Sequence, residues 1–262
     1  DILSEDCYVA MVGFGKDDIL GEVNRTLAAK FGNQAPTVTE ELLMPHWILA
    51  YAFVLKDFEF KTPFENLTEP LGFDSGGTRV PVAAFGIKEF QENNRKHKRM
   101  GEQVSVLAYD HHQPEFVVRL ATDSERDELI LARVSPKQTL LDTIREVQGR
   151  IQTGLQEPLR HKDSLQMPKL DFNIAHSYQE LLGKFLLNEG WTTYFVYKAR
   201  QDIRFRLNER GVKLASESRI ILASIPRKLV FDGPFLLWLR QTGEDLPYLA
   251  IWVSNPELLV PS

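Results

Sequence analysis

The sequence predicts an α+β fold in which strands outnumber helices and gather in the second half of the chain. Three observations carry this. Two-residue alternation recurs in short segments such as DIRFRL (202–207) and EQVSVLAY (102–109), the period that sends alternate side chains to opposite faces of a strand. Four-residue apolar spacing is confined to a few segments, the clearest holding Ile19, Val23, Leu27 and Phe31. Turn-forming clusters, Ser75-Gly76-Gly77 and Asp110-His111-His112-Gln113 among them, separate the apolar runs at strand-length intervals.

The elements follow in chain order. CYVAMVGF (7–14) is a short apolar strand. DDILGEVNRTLAAKF (17–31) is an amphipathic helix, with Asp17 and Asp18 at its start and Gly32 at its end. After a polar loop with Pro36, HWILAYAFVL (46–55) is continuously apolar and aromatic, a strand buried on both faces, with a helix as the alternative. From 71 to 123, FDSGGTRVPV, EQVSVLAY and PEFVVRLAT have the spacing of antiparallel meanders. Residues 136–152 predict a helix with Pro136 in its first turn and Leu140, Ile144, Val147 and Ile151 on one face. SLQMPKLDFNI (164–174) reads as strand and SYQELLGKFLLNEG (177–190) as a helix stopped at Gly190. The last 35 residues hold two strands around the turn QTGEDLP.

Composition narrows the function classes. At 43% hydrophobic and 26% charged over 262 residues the chain is ordinary globular protein, long enough to bury roughly 70–75% of its unfolded surface. The net charge of -5 gives no global attraction to nucleic acid or an anionic membrane, and neither partner is expected. A lone cysteine, Cys7, excludes an intramolecular disulfide and a cysteine-rich zinc site. No apolar run reaches the ~20 residues that cross a bilayer, and Asp1 opens the chain with no visible signal peptide. Asn24-Arg25-Thr26 and Asn66-Leu67-Thr68 are glycosylation triplets that matter only in a secreted protein.

No catalytic constellation is present: no Gly-x-Ser-x-Gly, no phosphate-binding glycine loop and no His-Glu-x-x-His. The expectation is a protein that is not an enzyme, with no catalytic residue, metal or cofactor. Gly13-Phe14-Gly15 reads as a helix-entry turn rather than a dinucleotide loop. His111 and His112 are adjacent on an extended chain and point oppositely, so they read as a solvated connection rather than metal ligands. Asp123 and Asp127 lack the spacing of a calcium loop and read as a polar helix entry. The one basic concentration, RKHKR (Arg95, Lys96, Lys98 and Arg99 around His97), reads as a solvated loop, with polyanion binding as the alternative.

The order of these segments, more than any one of them, carries a resemblance. FDGPFLLWLRQTGEDLPYLAIWVSNP (231–256), with Phe231, Pro234-Phe235, Arg240, Val253 and Asn255-Pro256, looks like the closing signature of the serpin family. MPKLDFNIAHSYQELLGKF resembles the family's Pro-Lys-hydrophobic strand followed by a Tyr-x-x-x-Leu helix. VPVA (80–83), LKDFEFKTPFE and EVNRTLAAKFG fall in matching order over some 240 residues. The resemblance implies a serpin-like α+β fold of mostly antiparallel and mixed β-sheets with a few packed helices. It also implies one domain over 1–262 that lacks the family's N-terminal third, with a reactive-centre-like loop at 207–231.

In that alignment NERG (208–211) stands at the proximal hinge of the loop, which marks Glu209, Gly211, Val212 and Leu214 as hinge residues. The conserved far end puts the scissile bond at Ala223–Ser224, and counting from the hinge puts it at Ile225; Arg227 lies too far along in either count. An inhibitory loop must slide into a sheet as a new strand, which favours small, uncharged residues. Val212 and Leu214 share a face with Ser216 and Ser218, but Leu214 is bulky and Lys213 and Glu217 are charged. Tyr51 stands at the family's sheet-gating asparagine, and Gln201 at its partner histidine. These departures favour a non-inhibitory relative that binds a ligand or protein partner. The alternative is an inhibitor of serine or cysteine proteases with 211–230 as bait. The family's habit favours secretion, and exposed sheet edges leave an oligomer open.

Overall fold

The computed structural model describes residues 7–39, 43–211 and 225–262. Those residues form thirteen strands and three α-helices, the strand-rich α+β composition read from the sequence. The chain clusters into two compact units, one of Asp1–Asp57 with Phe172–Phe205, the other of Phe58–Asp171 with Arg206–Ser262.

The first unit is built on a four-stranded sheet of order β1-β2-β10-β9, where β1 is Tyr8–Phe14, β2 Trp47–Phe60, β9 Leu170–Ser177 and β10 Phe195–Gly211. β1 and β2 pair antiparallel from Tyr8↔Val54 to Phe14↔Ile48. Helix α1, Ile19–Phe31, lies on one face and buries Ile19, Val23, Leu27 and Phe31, the stripe that four-residue spacing places on one side. These meet Val9, Leu49, Tyr51 and Phe53 in one apolar cluster, each buried side chain contributing about 1.5–3 kcal/mol of transfer free energy. The Asn24 amide ties the helix to the following loop, donating to Val38 O and accepting from Val38 N, both at 2.8 Å.

The second unit holds two sheets. One has order β11-β8-β4-β3, with β3 Glu65–Ser75, β4 Thr78–Ile87, β8 Ser164–Pro168 and β11 Lys228–Val230. Its Gly76-Gly77 turn has φ of 62° and 90°, conformations that only glycine adopts freely. The other has order β13-β12-β7-β6-β5, with β5 Val104–Tyr109, β6 Phe116–Leu120, β7 Asp127–Arg133, β12 Phe235–Gln241 and β13 Leu249–Val253, all antiparallel. Helix α3, Leu140–Thr153, packs Ile144 and Val147 against Val117, Ile130, Leu236 and Trp238. No helix among the described residues is long and apolar enough to cross a membrane.

Four sequence expectations change. The helix over 136–152 begins at Leu140: the Glu115 carboxylate holds Ser135 N and Oγ at 2.7 and 2.6 Å, Thr139 caps the helix, and Leu140 is exposed. The helix over 177–190 is a single 3-10 turn, Gln179–Leu181. There Gly183 N donates to Val196 O and Leu186 N to Tyr194 O, so the start of β10 and the residue before it take backbone bonds a helix would have made internally. RKHKR is not a loop but the first residues of helix α2, Arg95–Glu102, capped by the Asn94 carboxamide. Asp123 and Asp127 enter no helix: Asp123 lies between β6 and β7, and Asp127 opens β7, where it accepts from Ser124 Oγ and Tyr248 Oη.

Candidate functional site

The segment singled out by the sequence leaves β10 at one end and rejoins β11 at the other. Glu209 and Gly211 are the final residues of β10. The Glu209 carboxylate lies 2.7 Å from Lys169 Nζ, between the end of β8 and the start of β9, and its backbone carbonyl accepts from Phe64 N at 3.0 Å. The charges attract, although Glu209 Oε2 is buried and out of hydrogen-bond alignment. Burial pushes this carboxyl up and the Lys169 ammonium and Arg210 pull it down; attraction wins, and the acid lies below its usual range. Arg206 and Asp171, 3.5 Å apart, join Lys169, Glu209 and Arg210 around a cleft of about 330 Å³. Val212, Leu214, Ala223 and Ser224 lie outside the described residues.

At the far end, two residues weighed as the bait position separate clearly. Ile225 is 75% exposed, whereas Arg227 is 1% exposed. Arg227 is a structural anchor. Its N–H donates to Asp163 Oδ1 at 2.7 Å, its guanidinium donates to Asp163 Oδ2 at 3.0 and 2.7 Å, and further bonds reach Glu157 Oε2 at 2.8 Å and Pro158 O at 2.6 Å. Asp163 is fully buried and also accepts from Arg160 N. Beyond it, β11 adds only three residue pairs, parallel to β8.

β2 carries Tyr51, and its neighbour β10 carries Gln201 and Asp202. No strand lies between these two neighbours among the described residues. Gln201 does not face Tyr51; its Oε1 accepts from Tyr178 Oη at 2.7 Å. The residue opposite Tyr51 is Asp202, 1% exposed and held by Arg200 Nε and Nη2 at 2.8 to 3.2 Å. Burial and the Asp202 charge push the Tyr51 phenol well above its ordinary range, while Asp202 raises the Arg200 guanidinium further. Lys198 is pulled down by burial and the Arg200 charge. Arg200-x-Asp202 was a visible signal, since i and i+2 share a strand face.

The remaining candidates resolve simply. Arg95, Lys96 and Arg99 are exposed on α2, with Lys98 partly so; Lys96 pairs with Glu65 at 3.0 Å. Asp110 accepts from His112 N and Gln113 N, which organises the histidine turn and lowers the Asp110 carboxyl. Among the described residues, no group of three His, Cys, Asp or Glu converges as metal ligands would.

No protein-family model matches the chain, and no curated protein sequence matches it. Solved structures do. Mouse protein-Z dependent protease inhibitor superposes with a TM-score of 0.65 at 15% identity, over 93% of this chain and 65% of its own. Serpin48 of the insect Tenebrio molitor gives 0.58 at 13%, over 92% and 65%. Native protease nexin-1, solved with heparin, gives 0.62 at 12%, over 93% and 67%. The fold is that of the serpins, and the chain spans 65% of the length of the first two of these structures.

Proposed function

We propose that this chain is a non-enzymatic binding protein on a serpin scaffold rather than a protease trap. The observation that carries this is the β2/β10 seam. A cleaved loop can enter the sheet only by parting these strands, and the seam holds buried Tyr51 against the Asp202–Arg200 ion pair. Charged and bulky residues in the incoming segment, Lys213, Leu214 and Glu217, argue the same way. The Lys169–Glu209 pair further tethers the strand end from which insertion would start. The partner is a protein or ligand that uses the scaffold's surface.

A second reading, an inhibitor of serine or cysteine proteases with 211–230 as bait, draws on another observation. β2 and β10 are direct neighbours, so the slot an inserting strand would fill is unfilled, and Ile225 at the loop's exit is exposed. The two proteins named as a protease inhibitor and a protease nexin lend it family precedent.

Incubation with a panel of serine and cysteine proteases separates the readings. The binding reading expects clean loop cleavage, no adduct that survives boiling in detergent, and an unchanged melting temperature of the cut protein. A detergent-stable adduct, or a large rise in melting temperature after cleavage, establishes the inhibitor instead.

A further inference from the structure

β1 is the outer strand of its sheet: β2 pairs along one side, and no strand pairs along the other among the described residues. Its sequence, YVAMVGF, contains no Lys, Arg, Asp, Glu or Pro, the residues that ordinarily stop an edge from accepting another strand. Its two faces differ. Val9 and Met11 join the α1 cluster, and a Cβ on Gly13 would strike Ile19 Cδ1 at 2.7 Å, so the odd positions are sealed by the helix. On the even face Val12 is 70% exposed. That face ends at Phe14, whose ring lies 4.8 Å from Trp191 and 4.7 Å from Tyr194, with Trp191 itself 42% exposed.

We propose that β1 is a self-association edge, on which a second copy of this chain adds its own β1 antiparallel across a two-fold axis. Self-complementarity selects this occupant. Pairing centred on Met11 sets Tyr8 of each copy opposite Phe14 of the other and Ala10 opposite Val12. An aromatic pair thus closes both ends, and a large aliphatic residue meets a small one in the middle. No residue of β1 itself sets a charge against its own copy, the neighbouring Lys30 belonging to α1, and an isologous contact demands only this one surface. The incoming Tyr8 rings extend the half-buried Phe14–Trp191–Tyr194 clusters, and edge amides and carbonyls other than Tyr8 O, which Lys30 Nζ already holds at 2.9 Å, gain partners. The inference is independent of how the loop functions.

Sedimentation velocity across a wide concentration range tests it. The chain shifts reversibly from 30.0 kDa towards twice that mass. Val12→Lys and Ala10→Lys, both at solvent-facing positions, abolish the shift, while Leu187→Lys, at a residue 93% exposed elsewhere on the unit, leaves it intact. Hydrogen exchange on the unmodified chain provides a reading independent of any variant: β1 amides slow in proportion to the dimer fraction. A chain that stays monomeric at every concentration overturns the proposal, and slow β1 exchange in that monomer assigns the edge to a different strand. A dimer that survives both lysine variants, or forms without slowing β1 exchange, overturns it equally.

Discussion

Tyr51 and Asp202 face each other across the β2/β10 seam, both buried, with the phenol hydroxyl lacking a hydrogen-bond partner of ordinary geometry. A buried hydroxyl without an aligned partner costs about 1–3 kcal/mol of desolvation, of which the interaction with the Asp202 carboxylate returns only a part. Tyr51→Phe therefore raises stability by about 1 kcal/mol, read as a higher urea midpoint at constant slope. Asp202→Ala does the opposite. It leaves the Arg200 guanidinium without its partner; because that group is about a third exposed, the loss is about 2–3 kcal/mol, below the full cost of breaking a deeply buried pair.

Glu209 gives the end of β10 a dependence on pH whose sign follows from its lowered pKa. A carboxyl with a folded pKa below its unfolded value adds stability above the unfolded value, near 4.3–4.5. That contribution disappears as pH falls through the folded value. Thermal melts of the chain and of Glu209→Gln should differ at neutral pH and converge in acid, as pH falls from the unfolded value through the lowered folded one. A constant gap across that window would assign Glu209 a packing role instead of an electrostatic one.

How much of this the sequence disclosed depends on where each residue finds its partners. The α1 helix was legible because Ile19, Val23, Leu27 and Phe31 are all buried on one face, so local period and tertiary burial agree. Segment 177–190 was not. Its helical spacing is real, yet Leu181, Phe185 and Leu187 remain exposed and its backbone bonds go to β10. The resemblance pointed to Glu209, but its partner Lys169 stands 40 positions away. Asp163, 64 positions from Arg227, carries no local mark at all. The partners at the two positions the resemblance marked, Tyr51 and Gln201, were not legible, because they are set by neighbouring strands. On a strand a difference of one position reverses the face, and it separates Gln201, bonded to Tyr178, from Asp202, opposite Tyr51.

The α2 cations make a graded prediction. Lys96 is engaged by Glu65, so it contributes less to any polyanion contact than Arg95, Lys98 or Arg99. On a heparin column the chain should be retained weakly and released by moderate salt, as expected for a few phosphate- or sulfate-type contacts. Replacing Arg95, Lys98 and Arg99 together with Ala advances elution; Lys96→Ala barely moves it. Retention unaffected by the triple variant would place the contact elsewhere.

Arg227 makes the sharpest prediction, because its sequence context and its structure point in opposite directions. In the primary sequence it is the basic residue a trypsin-like protease would seek near the loop's far end. In the fold its guanidinium is enclosed by Asp163, Glu157 and the Pro158 carbonyl. Brief trypsin treatment of the native chain, read by mass spectrometry, should give no cleavage after Arg227, and the site should open only when the protein is unfolded in urea. Arg227→Met removes the positive partner of a fully buried Asp163 and should cost about 3–5 kcal/mol, the penalty for stranding a buried charge. Coupled replacement of Arg227 and Asp163 by apolar residues should recover most of that loss, since the pair's net contribution is far smaller than the cost of breaking it. A native chain cut readily at Arg227 would mean that the anchor opens in solution.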